Sequence, residues 1–181
     1  MRFNKLILCL VAALLITGCP SITSFAAEND EEFEVVSLSR DAKEDKEDEE
    51  VTYTKAQVRL LASLIYCESS NQPYAGKLAV GIVVMNRVRS GKYPDTLKGV
   101  IYQRYQFGPA RNGSLARALE KYDNGGFDST AELNCIKAAK AALSGEKKVT
   151  YKGKTYNMGS FLSFSGRVSN YRLQIADHQF K

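Results

Sequence analysis

The sequence predicts a mainly helical α+β fold that ends in a small β-sheet. Between residues 54 and 145, apolar residues recur at intervals of three and four and are separated by polar or glycine-containing breaks, which is typical of amphipathic helices. After Gly145 the chain changes to short runs rich in tyrosine, threonine, valine and phenylalanine, which favour strands. The sequence therefore predicts five helices followed by short strands.

Start signals define the first two helices. Residues 54–57 (TKAQ) have the spacing of a capping box, so we expect the first helix to begin there and to run to about Ser69. Pro73 is typical of a helix start, and the second helix is expected from Tyr74 to about Arg89. Because this second helix is apolar around most of its surface, we expect it to be buried.

Polar caps and glycines mark the remaining elements. Asp95 is expected to cap a short helix over residues 96–103, and Ser114 to cap a fourth helix that ends near residue 122. Residues 104–113 have the composition of a loop. The last expected elements are a fifth helix capped by Asp128 or Ser129 and ending at Ser144, a hairpin over residues 149–156, and strands within residues 161–165 and 172–180.

The first 52 residues predict two segments that precede the folded domain. Residues 1–26 have the basic start, short apolar run and small residues of an export signal peptide. Residues 16–19 also resemble a lipobox, in which Cys19 would be lipidated; both interpretations take the protein out of the cytoplasm. Residues 27–52 hold twelve acidic and three basic residues, so we expect a disordered, solvated linker before a domain over residues 53–181.

The formal net charge of +5 conceals a strongly basic domain. From Val51 onward the chain has 20 basic and eight acidic residues, a formal charge of +12. Such a domain fits an anionic partner, and outside a bacterial membrane the abundant polyanion is the cell wall. We therefore expect an exported monomer at the cell wall, without a nucleic acid partner, and with a membrane contact only if Cys19 is lipidated.

Glu68 is the most informative side chain. It follows Leu61, Leu64 and Ile65 at helical spacing, so its carboxylate points the same way as core side chains. It also lies near the end of the first helix, where the helix dipole disfavours an anion. Burial and the dipole both predict a raised pKa, which suits a general acid at neutral pH.

The cysteines and the histidine do not predict a metal or cofactor site. Cys67 and Cys135 both fall in predicted helices, and the sequence leaves open whether they pair. A single histidine cannot build a zinc-type cluster, so we expect no metal and no cofactor. A thiol enzyme built on Cys67 and His178 is an alternative, but Cys67 lies near a helix C-terminus, where the dipole disfavours a thiolate.

Three stretches carry a family resemblance: residues 61–88 (LASLIYCESSNQPYAGKLAVGIVVMNRV), 93–107 (YPDTLKGVIYQRYQF) and 175–180 (IADHQF). In them the chain resembles the spore-cortex-lytic, or SleB-like, bacterial cell-wall hydrolases, over nearly all of residues 54–180. The resemblance implies a fold related to the lysozyme-like lytic transglycosylases, with Glu68 as the catalytic residue. The chain departs from the family pattern around residues 67–72, at Gly108 and at Ala176.

Six further residues are candidates for the site. Ser69 follows the glutamate as it does in several transglycosylase families. Aromatic faces and amides bind sugars, so four residues are expected to line the cleft, or else to pack helices and fold the loop: Tyr74, Asn86, Gln106 and Phe107. Arg87 either pairs with a carboxylate or is solvated.

The residues favour one mechanism of glycan cleavage. Ordinary glycosidases pair an acid with a second carboxylate, whereas a lytic transglycosylase needs one acid/base because the muramic acid 6-hydroxyl is the nucleophile. The other acids of the domain have the pattern of caps or exposed positions, with Asp123 and Asp177 left as candidates. We therefore predict a lytic transglycosylase that cleaves MurNAc-GlcNAc β-1,4 bonds, with a muramidase that uses water or a non-catalytic wall-binding protein as alternatives. Whether the substrate is spore cortex or vegetative wall stays open.

Overall fold

The computed structural model of the protein describes residues 53–181, so the predicted signal peptide, lipobox and acidic linker lie outside the described residues. This part of the chain holds five α-helices, as predicted, and none of them is long and apolar enough to cross a membrane. The helices are α1 (Lys55–Ser69), α2 (Tyr74–Arg89), α3 (Leu97–Tyr102), α4 (Ser114–Asp123) and α5 (Thr130–Leu143).

Side-chain caps start α1 and α5. The Thr54 hydroxyl accepts from the backbone N–H of Gln57, and the Gln57 side chain accepts from the backbone N–H of Thr54, which completes the predicted capping box. Ser129 and Glu132 form the same reciprocal pair at the start of α5, which settles the choice between Asp128 and Ser129. Each pair satisfies two backbone donors that a helix start otherwise leaves without partners.

Two predicted caps were wrong by one residue. Thr96, and not Asp95, caps α3, because Thr96 has the extended backbone of a cap and its hydroxyl accepts from the N–H of Gly99 at 3.1 Å. Gly113, and not Ser114, precedes α4, and its φ of 80° is a left-handed conformation that glycine adopts without strain. In both places the residue next to the predicted cap takes that role because its backbone has the conformation of a cap.

Helices α1, α2 and α5 pack together and supply most of the core. Leu61, Leu64 and Ile65 of α1 are fully buried, and α2 is buried along most of its length, as predicted. The three helices meet at Gly81, where an added Cβ would lie 3.0 Å from Cβ of Ala142 and 3.2 Å from Cδ1 of Ile65. A side chain here would require these neighbours to shift by a few tenths of an ångström, so glycine permits the close packing of the three helices.

The strands after α5 form two sheets where the sequence predicted one. Strands β1 (Lys148–Tyr151) and β2 (Lys154–Asn157) make the predicted antiparallel hairpin, with positive φ at Lys152 and Gly153 in its two-residue turn. Strands β3 (Phe164–Ser165), β4 (Leu173–Ile175) and β5 (His178–Phe180) form a separate antiparallel sheet in the order β3-β5-β4. The predicted strand over residues 172–180 is thus two strands, because the chain turns at Ala176, where φ is 46°.

Candidate active site

Glu68 occupies the next-to-last position of α1, one turn beyond the buried Ile65. Its side chain is half-buried. Burial raises the pKa of its carboxyl group, and the positive charge of Arg87 on α2 opposes that rise. The direction agrees with the prediction made from the helical spacing. A carboxyl group in this setting holds its proton closer to neutral pH than an exposed glutamate does.

Arg87 faces this carboxylate from the last turn of α2. Its side chain is 6% exposed, and its guanidinium lies 5.1 Å from the ring centres of both Tyr93 and Phe107. Nε donates a hydrogen bond to the carbonyl oxygen of Leu162 at 2.8 Å, whereas Nη1 is buried and has no hydrogen-bond partner. The alternative in which Arg87 is solvated is therefore wrong. Arg87 is a buried cation whose charge acts on the Glu68 carboxyl group.

A pair of hydrogen bonds joins the α1–α2 loop to the β4–β5 turn. Nε2 of Gln72 donates to Oδ2 of Asp177 at 2.8 Å, and Oε1 of Gln72 accepts from the backbone N–H of Asp177 at 3.2 Å. Lys77 stabilises the same loop, because its ammonium group donates hydrogen bonds to the backbone carbonyl oxygens of Ser70 and Gln72. Sequence reasoning missed Gln72, since its partner lies 105 positions further along the chain.

His178 follows Asp177 and lies among aromatic rings. Its ring is 5.4 Å from that of Phe164 and 6.2 Å from that of Phe180, measured between centres. Burial lowers the pKa of the imidazole, and its Nδ1 has no hydrogen-bond partner. Phe164 also lies 6.4 Å from Phe107, so these rings connect the three-stranded sheet to the residues around Arg87.

Three predicted substrate-binding residues lie inside the fold. The Ser69 hydroxyl donates to the carbonyl oxygen of Ile65 at 2.8 Å and is buried. Nδ2 of Asn86 donates to the carbonyl oxygens of Met158 and Phe161 at 2.7 and 2.9 Å. Phe107 is 2% exposed and packs under Arg87. These positions favour structural roles within the fold.

The other two predicted binding residues, Gln106 and Tyr74, are not buried around Arg87. Gln106 is exposed on the loop between α3 and α4. Tyr74 begins α2, thirteen residues before Arg87, which is about 20 Å along a helix axis. The ammonium group of Lys137 lies 5.2 Å from the Tyr74 ring centre, which places that ring against α5. The structure therefore brings Glu68 together with Arg87 and does not bring Tyr74 beside Arg87.

Most of the other carboxylates are occupied or distant. Asp123 accepts from Arg59 at 2.5 and 2.6 Å, and Arg59 precedes Glu68 by nine residues, or about 13 Å of helix. Glu132 pairs with Lys121, which lowers the pKa of its carboxyl group to about 2. Three others are exposed elsewhere on the described surface: Asp95, Glu120 and Asp128. Asp177 is thus the carboxylate that is bonded to the loop following Glu68.

The cysteines are free thiols, and Cys67 is a poor nucleophile. Burial raises the pKa of the Cys67 thiol to about 11, with Glu68 adding to the rise. At neutral pH this thiol stays protonated, which argues against the thiol-enzyme alternative. Within residues 53–181, no group of three or more histidine, cysteine, aspartate or glutamate side chains is arranged to hold a metal ion.

The chain matches known proteins over this domain. The model of the cell wall hydrolase family matches residues 71–181, beginning three residues after Glu68. Over 63 residues, or 35% of this chain, it is 36% identical to a spore cortex-lytic enzyme of Bacillus cereus and 35% identical to one of Oceanobacillus iheyensis. The matched stretch spans 24% and 23% of those relatives, about a quarter of their length.

A solved structure shares the fold. The catalytic domain of the Bacillus cereus SleB protein superposes with a TM-score of 0.51 at 24% identity, and the match covers 71% of this chain and 91% of that one. The likeness confirms the predicted α+β fold, mainly helical with short C-terminal strands. Together with the match of the family model over residues 71–181, it shows that the chain belongs to the cell wall hydrolase family.

Proposed function

We propose that this protein cleaves the glycan strands of peptidoglycan as a lytic transglycosylase, with Glu68 as its acid and base. The observation that carries the proposal is the half-buried Glu68 carboxyl group, whose pKa burial raises. A raised pKa moves the protonation of this carboxyl group toward neutral pH, the range in which a general acid works best. The two curated relatives named above are spore cortex-lytic enzymes, which supports a wall or cortex substrate.

In the first half of the proposed reaction, Glu68 donates its proton to the glycosidic oxygen between MurNAc and GlcNAc. The bond from C1 of muramic acid to that oxygen breaks, and the oxygen keeps the electron pair and the proton. In the second half, the ionised Glu68 takes the proton from the 6-hydroxyl of the same sugar while O6 bonds to C1. The product is a 1,6-anhydromuramoyl end, Glu68 is protonated again, and no water is consumed.

The distribution of carboxylates supports a single acid/base. Among the described residues, Asp123 and Glu132 are held in ion pairs with Arg59 and Lys121. Ordinary glycosidases place a second carboxyl group about 5–10 Å from the acid. A transglycosylase needs no such partner because the substrate supplies its own nucleophile.

A muramidase that uses water is the second candidate, and Asp177 is the observation that favours it. This carboxylate is hydrogen-bonded to Gln72, four residues after Glu68. In this alternative Glu68 again protonates the glycosidic oxygen, while Asp177 takes a proton from water as the water oxygen bonds to C1. The product is then a reducing MurNAc end.

The charge of the chain supports a location at the wall. The formal charge of +12 from Val51 onward favours binding to an anionic polymer outside the membrane. We propose that the protein acts as a monomer, either secreted or anchored through Cys19, on the cell wall or in the spore envelope.

Product analysis tests the proposal and its alternatives. The purified full-length chain is incubated with vegetative peptidoglycan and with spore cortex, and the soluble muropeptides are separated and weighed by mass spectrometry. Anhydromuropeptides support the transglycosylase, since this product is 18 Da lighter than the hydrolytic one. Reducing MurNAc ends would assign the muramidase, and binding without soluble products would leave a non-catalytic wall-binding protein. The substrate that releases more soluble muropeptides, vegetative peptidoglycan or spore cortex, is the preferred one.

A further inference from the structure

Within residues 53–181, Arg87 is a buried cation without an anionic side chain in direct contact. Its side chain is 6% exposed, yet the structure shows no carboxylate within ion-pair distance of it among residues 53–181. One of its donors, Nη1, is buried without a hydrogen bond. Burying an uncompensated charge and an unsatisfied donor opposes folding. Such an arrangement calls for a role that outweighs its cost in stability.

The fold holds this guanidinium firmly in place. Nε is fixed by the Leu162 carbonyl oxygen at 2.8 Å, and the rings of Tyr93 and Phe107 lie 5.1 Å away. Its backbone carbonyl accepts from both the backbone N–H and the hydroxyl of Ser90, which closes the end of α2. A side chain fixed from this many sides presents its charge in one direction.

The charged and titratable groups around Glu68 come from several elements. Arg87 of α2 is the charged group that acts on Glu68 most strongly in the described structure. Cys67 lies on the same helix as Glu68. Burial raises the pKa of its thiol to about 11, and the positive charge of Arg117 on α4 partly opposes that rise. In the β4–β5 turn, Asp177 accepts a hydrogen bond from Gln72, and its negative charge partly offsets the effect of burial, which lowers the His178 pKa. Tyr93 follows α2 and acts on Arg87.

We propose that Arg87 is a positioning residue that stabilises the ionised side chain of Glu68 in the half of the reaction in which Glu68 acts as a base. This inference rests on the proposed function of Glu68. Burial alone would favour the protonated acid and leave a poor base. Arg87 supplies the opposing attraction, so that one carboxyl group serves both halves. Nη1 is buried without a hydrogen-bond partner, and Glu68 is the described carboxylate that interacts electrostatically with Arg87.

Titration of Glu68 tests the proposal without any activity measurement. The full-length chain is labelled with [13C]glutamate, and the Glu68 carboxyl signal is assigned by its loss in Glu68→Gln. Replacing the cation by Arg87→Met is expected to raise the Glu68 pKa by about one unit or more, whereas Arg87→Lys keeps most of the effect. Arg117→Met removes the same charge from α4 and is expected to leave that pKa unchanged. An unchanged Glu68 pKa in Arg87→Met overturns the proposal.

A second measurement covers the case in which Arg87→Met does not fold. In the wild-type chain, the guanidinium nitrogens of Arg87 are expected to shift with the same midpoint as the Glu68 carboxyl signal. In Glu68→Gln, which keeps the shape of the side chain, that transition is expected to disappear. If the Arg87 signals do not change with Glu68 ionisation in the wild-type chain, the proposed interaction between Arg87 and Glu68 is contradicted.

Kinetics then link the pair to the reaction. In Arg87→Met, kcat for wall lysis is expected to fall at least tenfold with little change in KM, and the pH profile moves to higher pH. A purely structural role would lower the amount of active enzyme and leave the profile where it is. If the wild-type chain yields no products while Glu68 and Arg87 still titrate together, the proposed function fails and the pairing stands.

Discussion

The side-chain amide of Gln72 and the residue Asp177 bond to each other twice, at 2.8 and 3.2 Å, although 105 positions separate them. Gln72 belongs to the loop directly after α1, and Asp177 belongs to the turn between β4 and β5. The three-stranded sheet is therefore tied to the loop four residues beyond Glu68. This contact leads to the first of four predictions.

Asp177→Ala is expected to destabilise the protein by about 1–3 kcal/mol, because it removes one of the two acceptors of the buried Gln72 amide and leaves only Oδ1 of Asn71. Urea unfolding followed by circular dichroism measures the change. Asp177→Asn retains an acceptor oxygen and is expected to keep most of the stability. It also separates the two reactions: a transglycosylase keeps its activity in Asp177→Asn, whereas a muramidase that uses Asp177 as base loses it.

Glu68→Gln is expected to lower wall lysis by at least about 100-fold, since general acid catalysis typically contributes a factor of about 10²–10⁴. The fold should remain, because glutamine has the same shape and removes a half-buried charge. Lysis is followed by the fall in turbidity of a peptidoglycan suspension. Glu120→Gln makes the same change at an exposed position of α4 and serves as the control. Full activity in Glu68→Gln would show that another group is the acid.

Asn86→Ala separates a structural role from a binding role. It removes the side-chain donor from the Phe161 carbonyl oxygen and one of the two donors from the Met158 carbonyl oxygen, so we expect a loss of about 1–3 kcal/mol in the free energy of unfolding. Gln106→Ala changes an exposed amide and should leave stability unaltered. If Gln106 contacts glycan as predicted, this variant raises KM instead. An Asn86→Ala protein of wild-type stability but higher KM would restore the binding role.

Glu132 makes stability depend on pH in the acid range. Its folded pKa of about 2 lies below the ordinary value of 4.5, because Lys121 and Ser129 bond the ionised carboxylate. The stabilisation is therefore present above about pH 4.5 and is lost as the pH falls toward 2. Unfolding free energies measured across this range should show a slope that Glu132→Gln reduces. Asp128→Asn, an exposed acid near the same helix start, should leave the slope intact.

Local signals explain what the sequence could predict. The capping box at Thr54 and the helical spacing up to Ile65 involve neighbours along the chain, so the start of α1 and the direction of Glu68 follow from them. The turn at Ala176 was missed because left-handed alanine has no sequence signature. The sequence identified Arg87 as a candidate but could not predict its contacts, because its hydrogen bond to Leu162 joins residues that are 75 positions apart. Such long-range contacts depend on the packing of whole elements.

The contact at Gly81 bears on the position of the helix that carries Glu68. Ile65 lies against that glycine, and Glu68 stands one helical turn further along α1. The distance between α1 and α2 at this point is therefore set by the lack of a side chain. A single methyl group added at residue 81 would require Ile65 and Ala142 to shift by a few tenths of an ångström. The packing of the helix that carries Glu68 thus depends on an atom that glycine lacks.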